Sequence, residues 1–187
     1  MKKLIIISKI IYNRLKLKLL LGSKVHIKTL IAEKNLILDF DKTSCQNLTI
    51  NVVNFRQNCC IRIRNKGSVM IGYDVFFNSF CSINCLDSIT IGDYCIFGEN
   101  VKLYDHNHRF NQANIPFKKQ GFSTGAIIIG NNCWIGSNVT ILKNVTIGDN
   151  VVVGAGCTID QNIPSNSIVK SDTNIIVENI KWKENQL

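Results

Sequence analysis

From Ile129 to Ile159 an aliphatic side chain returns at every sixth residue: Ile129, Ile135, Ile141, Ile147, Val153 and Ile159. A small or short side chain follows each of the first five after four positions, namely Cys133, Val139, Val145, Val151 and Cys157. Glycine directly follows the aliphatic residue in four of the five hexads, and Leu142 breaks that rule in the third. An α-helix repeats on 3.6 residues and an isolated strand on 2, so neither produces a beat of six. The period predicts an all-β solenoid of short parallel strands, each coil laying its aliphatic residues on those of the coil before. A run of β-hairpins would show irregular spacing and Asn-Gly or Asp-Gly turns instead.

The same beat begins earlier, at Ile71-Gly72-Tyr73-Asp74, and continues through Phe77, Ile83 and Ile89. It slips by two residues and resumes at Ile91-Gly92-Asp93, Phe97-Gly98-Glu99 and Leu103. Between Val25 and Met70, short β-type runs (Leu36 to Leu38, Leu48 to Val53, Ile61 to Ile63) alternate with polar turns without a clear period. Irregular first coils that cap an open solenoid end are expected there. From Tyr104 to Ala126 the beat is lost, and this stretch holds Pro116 and Asp105-His106-Asn107-His108, with two of the three histidines. A long excursion from a regular scaffold is where function concentrates. The chain thus divides into a basic, apolar N-terminal segment (1–24), a β-helix (25–166) with an inserted loop (104–126), and a C-terminal strand and tail (167–187).

In the N-terminal segment Leu4, Ile7, Ile11 and Leu15 fit one helical face, whereas Arg14 to Leu19 alternates as a strand would. A short helix to about Asn13 is the expectation. Its longest apolar run, Leu4 to Ile7, cannot span a bilayer, and no signal-peptide pattern is present.

Charge sharpens this picture. Of 22 basic residues, eight precede the first acid, Glu33, and the rest nearly balance the 13 acids. A nucleic-acid reader would carry its basic surface on the folded body beside aromatics, so nucleic acid is not expected as a partner. A terminal mixture of Lys, Leu and Ile suits either peripheral docking on the anionic inner face of a membrane or packing on the solenoid's end. The eight cysteines include no CxxC, and Cys81, Cys95, Cys133 and Cys157 each stand four residues after a repeat aliphatic, where a small inward side chain is wanted. They read as free thiols of a cytoplasmic protein, with no metal site among them.

With repeat blocks on either side of the histidine loop, and with Trp134-Ile135-Gly136, the chain resembles the hexapeptide-repeat acyltransferases over roughly residues 70–166. The galactoside, maltose and nodulation-factor acetyltransferase branch is the closest likeness. The resemblance implies a left-handed parallel β-helix, a homotrimer with active sites between subunits, and acetyl-CoA as co-substrate. It puts the catalytic histidine at the start of the loop, where His106 stands. Neutral imidazole is suited to take a proton from a sugar hydroxyl near pH 7. His108 is a second candidate for the base, because extended backbone points it to the same side as His106. Asp105 would point away from both, and is grouped with the substrate contacts rather than as the group that orients His106. The likeness further implies acceptor contact by Asn78 and a site-lining Trp134 that touches both substrates. Ser137 and Ala155 match positions along the pantetheine arm. The family's Thr-Lys-Asp-Ile-Pro is here Asp160-Gln161-Asn162-Ile163-Pro164, so the lysine that meets CoA phosphates is missing and Lys170, Lys181 or Lys183 must substitute.

The expected activity is O-acetyl transfer from acetyl-CoA to a sugar hydroxyl of a bacterial surface glycan or its precursor, by direct attack. Two other classes compete. A zinc hydro-lyase resembling the gamma-class carbonic anhydrases would need about three protein ligands, and only His106, His108 and His26 are on offer. A non-catalytic binding solenoid is the third, since fold alone does not fix function.

Overall fold

The computed structural model describes residues 2–7, 10–11, 25–41 and 47–171. It is a parallel β-solenoid of about six coils with almost no helix. Each coil contributes one short strand to each of three faces of a triangular prism. Face 1 stacks Ser68–Ile71, Ser88–Ile91, Ile127–Ile129 and Val145–Ile147. Face 2 stacks Val75–Phe77, Ile96–Phe97, Trp134–Ile135, Val152–Val153 and Ile168–Val169. Face 3 stacks Leu36–Asp41, Cys60–Ile63, Ser82–Cys85, Lys102–Tyr104, Thr140–Ile141 and Thr158–Ile159. In the first two coils Val25–Ala32 and Asn47–Phe55 run unbroken around the edge between faces 1 and 2.

The hexad aliphatics all point into the prism, with Ile129, Ile135, Ile141, Ile147, Val153 and Ile159 buried, as are the small residues four places on. Along face 2 the inward column includes Phe55, Phe77 and Phe97, whose rings stack with centroids 4.7 and 4.4 Å apart. Corners fall three residues after the aliphatic, where Asn132, Asn138, Asn144 and Asn150 adopt left-handed φ of 54–62° and Gly156 takes 77°. Asparagine tolerates that conformation better than other side chains, and here it adds a ladder: Asn132 donates to Asn150 (2.8 Å) and Asn150 to Asn166 (3.1 Å). The glycine after the aliphatic has a different cause. A Cβ on Gly130 would lie 2.7 Å from the backbone carbon of Gly148 in the next coil, so only hydrogen fits.

Register explains where the rhythm is legible. Paired residue numbers differ by 23 between Leu38 and Ile61, by 22 between Ile61 and Ile83, and by 20 between Ile83 and Leu103. Between Ile141 and Ile159 the difference is 18, three full hexads. The early coils are real coils whose corners carry extra residues, and the two-residue slip is the surplus of the 20-residue coil.

The N-terminal helix is a correction. Lys2–Ile7 is a strand, antiparallel to Leu36–Asp41, and Ile10–Ile11 pairs antiparallel with Ile31 and Ala32. Three consecutive β-branched residues, Ile5 to Ile7, favour extended backbone, and the first coil offers an open edge that a strand can satisfy. These strands pack on the solenoid's end, one of the two roles expected for the segment. Residues 12–24, the basic tail from 172 onward and Cys45 lie outside the described residues. The other seven cysteines are buried free thiols.

Candidate active site

The hexad after Ile141 lacked glycine because it belongs to a distinct edge. Where face 3 turns into face 1, the residues following the buried aliphatics are Asn84, Tyr104, Leu142 and Asp160. This edge carries side chains, and the 104–126 excursion leaves the fourth coil from it. The excursion is an arm in which His106–His108 pairs antiparallel with Phe122–Thr124. The Gly125 N–H donates to the Asp105 carbonyl (2.8 Å), so the two ends of the arm meet at its root. At the tip, buried Gln120 accepts from the Gln112 N–H (3.0 Å) and donates to the carbonyls of Gln112 (3.1 Å) and Ile115 (2.7 Å).

At the root lies Asp105, with no solvent exposure. Its carboxylate accepts from the Leu86 N–H (2.8 and 3.0 Å to the two oxygens) and the Asp87 N–H (2.7 Å), and its Oδ1 stands 2.9 Å from Nδ1 of His106. A carboxylate only accepts, so Nδ1 of His106 carries the proton and Nε2 of the neutral ring keeps its lone pair. This corrects two expectations: Asp105 does orient His106, and its burial keeps it off substrate. Alternation failed because Asp105 sits on the bend where the strand leaves the coil, before extended backbone resumes at His106. Beneath it, burial and the Asp105 charge push the Cys85 thiol well up, so that thiol stays protonated.

His106 lines a cavity of about 420 Å³ together with Arg62, Arg64, Asn84, Leu86 and Phe122, a size that suits a small ligand. The Phe122 ring meets His106 edge-on at 5.3 Å and His108 at 4.4 Å, which sets both histidines on the same side of the arm. His108 is exposed and is not among the residues lining the cavity.

The remaining expected site residues gather elsewhere. Asn78, Gly98, Gly136 and Gly154 form one column along the edge between faces 2 and 3, joined by N–H donation to the next coil. Ser137 and Ala155 sit beside it, Ser137 Oγ accepting from the Glu99 N–H at 3.2 Å, and Lys170 backs Gly154 in the last turn. Trp134 is 54% exposed on face 2, between Ile96 and Val152. Asn78 turns its Oδ1 back to the Ser79 N–H (2.8 Å), a local turn contact. Within one chain, then, the histidine group and the Asn78–Trp134–Ser137–Ala155–Lys170 group occupy different edges of the prism. Sequence reasoning missed Asn84 and Arg62, which share the cavity with His106; the one signal was that Asn84, like Leu142, follows a repeat aliphatic where most hexads place glycine. Among the described residues no group of three His, Cys, Asp or Glu is arranged to hold a metal ion, and His26 lies exposed on the first coil, away from the arm.

Stacked coils of three hexads each, with a histidine arm let in at one edge, define a class, the hexapeptide-repeat β-solenoids. Residues 126–161 match the family model described as bacterial transferase hexapeptide (six repeats). It is 30% identical over 125 residues to the "Putative lipopolysaccharide biosynthesis O-acetyl transferase WbbJ" of Escherichia coli (strain K12), covering 62% of this chain and 64% of that one. The crystal structure of a maltose O-acetyltransferase from Clostridium difficile 630 superposes with a TM-score of 0.55 at 32% identity, over 62% of this chain and 60% of that one. An N-acyltransferase from Bacillus cereus, AntD, superposes over 96% of this chain and 94% of its own with a TM-score of 0.67, but at 19% identity it speaks to the fold alone. The chain spans less than two thirds of the length of the first two relatives.

Proposed function

We propose that the protein is an O-acetyltransferase that carries an acetyl group from acetyl-CoA to a sugar hydroxyl of a bacterial surface glycan or its precursor. The observation that supports this most is the Asp105–His106 pair on the wall of an open cavity. His106 Nε2 takes the proton of the acceptor hydroxyl as its oxygen attacks the thioester carbonyl. The C–S bond breaks, the proton passes to the departing sulfur, and ester and free CoA thiol result. No cysteine need form an acyl-enzyme, in keeping with the burial of the seven described thiols. The names of the two similar acetyltransferases support the reaction class.

Acetyl-CoA runs along the glycine edge in this proposal, past Ser137 and Ala155 toward Lys170, with Trp134 at its side. A donor on that edge and a base on another are brought together by a second chain, so the working unit is a homotrimer with sites between subunits. Exposed Ile96, Trp134 and Ile168 give face 2 an apolar strip for that contact. In this proposal the catalysis is cytoplasmic, and the lysines of segment 1–24 draw the solenoid end, on which its strands pack, to the anionic inner membrane surface; no helix among the described residues is long and apolar enough to cross a membrane. Thiol release from acetyl-CoA with a sugar acceptor tests the proposal. His106→Ala should lower the rate by about a hundredfold or more, and an undiminished rate would remove His106 as the base.

A further inference from the structure

We infer that the acceptor sugar is anionic, bearing a carboxylate or a phosphate, and that Arg62 reads that group while His106 works on a hydroxyl of the same molecule. The inference rests on the acyltransferase proposal above and names the substrate class of its cavity. Asp39, Arg62, Asn84 and Tyr104 stand in register across face 3, one per coil. His106 leaves the stack two residues past Tyr104. Arg62 is therefore about two rungs from the base, about 10 Å along the axis at the usual strand spacing, a span that a pyranose with one charged substituent bridges.

The two cavity arginines are held differently. Arg64 grips Asp39, with Nη2 2.5 Å from Oδ2 and Nη1 donating to the Asp39 carbonyl at 2.8 Å, and its side chain is 21% exposed. Arg62 reaches the same Oδ2 only at 3.8 Å, and its side chain is 45% exposed. Its other partners are neutral: Nη1 lies 3.1 Å from Cys60 Sγ and 3.4 Å from Asn84 Oδ1. Asp39 is thus secured by Arg64, and Arg62 is the loosely held cation facing the opening. A neutral sugar gains little from a guanidinium, whereas the planar fork matches the paired oxygens of a carboxylate or phosphate. The CoA phosphates are not the group in question. The proposed donor edge runs from the fifth coil to the closing turn between faces 2 and 3, and the cavity opens over the second to fourth coils.

The test pairs turnover with binding, on the full chain. Glucose and galactose are compared with glucuronate and galacturonate (the carboxylate arm) and with glucose 1-phosphate (the phosphate arm), by thiol release and by calorimetry. At least one charged arm should exceed its neutral counterpart by about ten- to a hundredfold in kcat/KM. Arg62→Gln should collapse that ratio toward one and Arg62→Lys should restore part of it. Lys34→Ala, which removes a cation from an exposed corner outside the cavity, should leave the ratio intact. Neutral sugars turned over as well as charged ones would overturn the inference and leave the acyltransferase proposal standing. Charged sugars bound in an Arg62-dependent way without acetyl transfer would uphold the subsite and overturn that proposal.

Discussion

Asp105 offers the sharpest trial of the site, because its structural and catalytic effects separate. The carboxylate is wholly buried and receives two backbone N–H groups, from Leu86 and Asp87, besides the imidazole. Asp105→Ala strands those two donors where water does not reach. At about 1–3 kcal/mol for each unmade bond, the loss is about 2–6 kcal/mol, against a whole-domain stability of about 5–15 kcal/mol. Asp105→Asn keeps an oxygen for the backbone donors and should cost much less. It turns an N–H of its own toward Nδ1 of His106, however, and so drives the ring to the tautomer whose Nε2 is protonated and useless as a base. The expected result is a folded protein whose kcat falls by about 10²–10⁴ while KM for acetyl-CoA stays near that of the native enzyme. Nitrogen-15 spectra of the imidazole supply the direct readout: Nδ1 should be the protonated nitrogen in the native protein and Nε2 in Asp105→Asn. A native tautomer in the variant, or a kcat within threefold of the native value, would refute the positioning role.

The core and the thiols give two further trials. Phe77→Ala empties the middle of the Phe55–Phe77–Phe97 stack and should cost about 3–5 kcal/mol, read as a lower urea midpoint; a loss under 1 kcal/mol would mean the column is not a packed core. In a Cys45→Ser background, the seven buried thiols should resist alkylation at neutral pH until the protein unfolds. That includes Cys133, whose thiol is drawn down to about 7 by its contact with Cys95 but is only 1% exposed. Rapid native labelling at Cys133 would show that the coils open locally.

The regular coils were readable because 129–159 obeys a strict period and every aliphatic on it is buried. The first coils were harder to read, since surplus corner residues stretch the repeat to 22 and 23 while leaving the pairing intact. Lys2–Ile7 was misread because an apolar face can be drawn on a helix for four well-spaced residues, and only the free edge of Leu36–Asp41 decides for a strand. His106 was visible as a histidine in the long aperiodic excursion between two repeat blocks. Its partner was not, since the side to which Asp105 points depends on a bend at the root of the arm. Asn84 and Arg62 escaped notice because contacts between coils join residues 22 apart, a separation that no local pattern reports.

The root of the arm has a wider consequence. Ile89 pairs with Ile127 and Leu103 with Ile141 as though nothing intervened, and the hydrogen bond from the Gly125 N–H to the Asp105 carbonyl closes the ladder of the arm where the two departure points meet. The scaffold's cohesion and the histidine arm are therefore nearly independent modules. Excising residues 106–124 and bridging the gap with a short flexible link should abolish turnover yet barely move the melting temperature, and new appendages grafted at that junction would inherit a ready-made foundation.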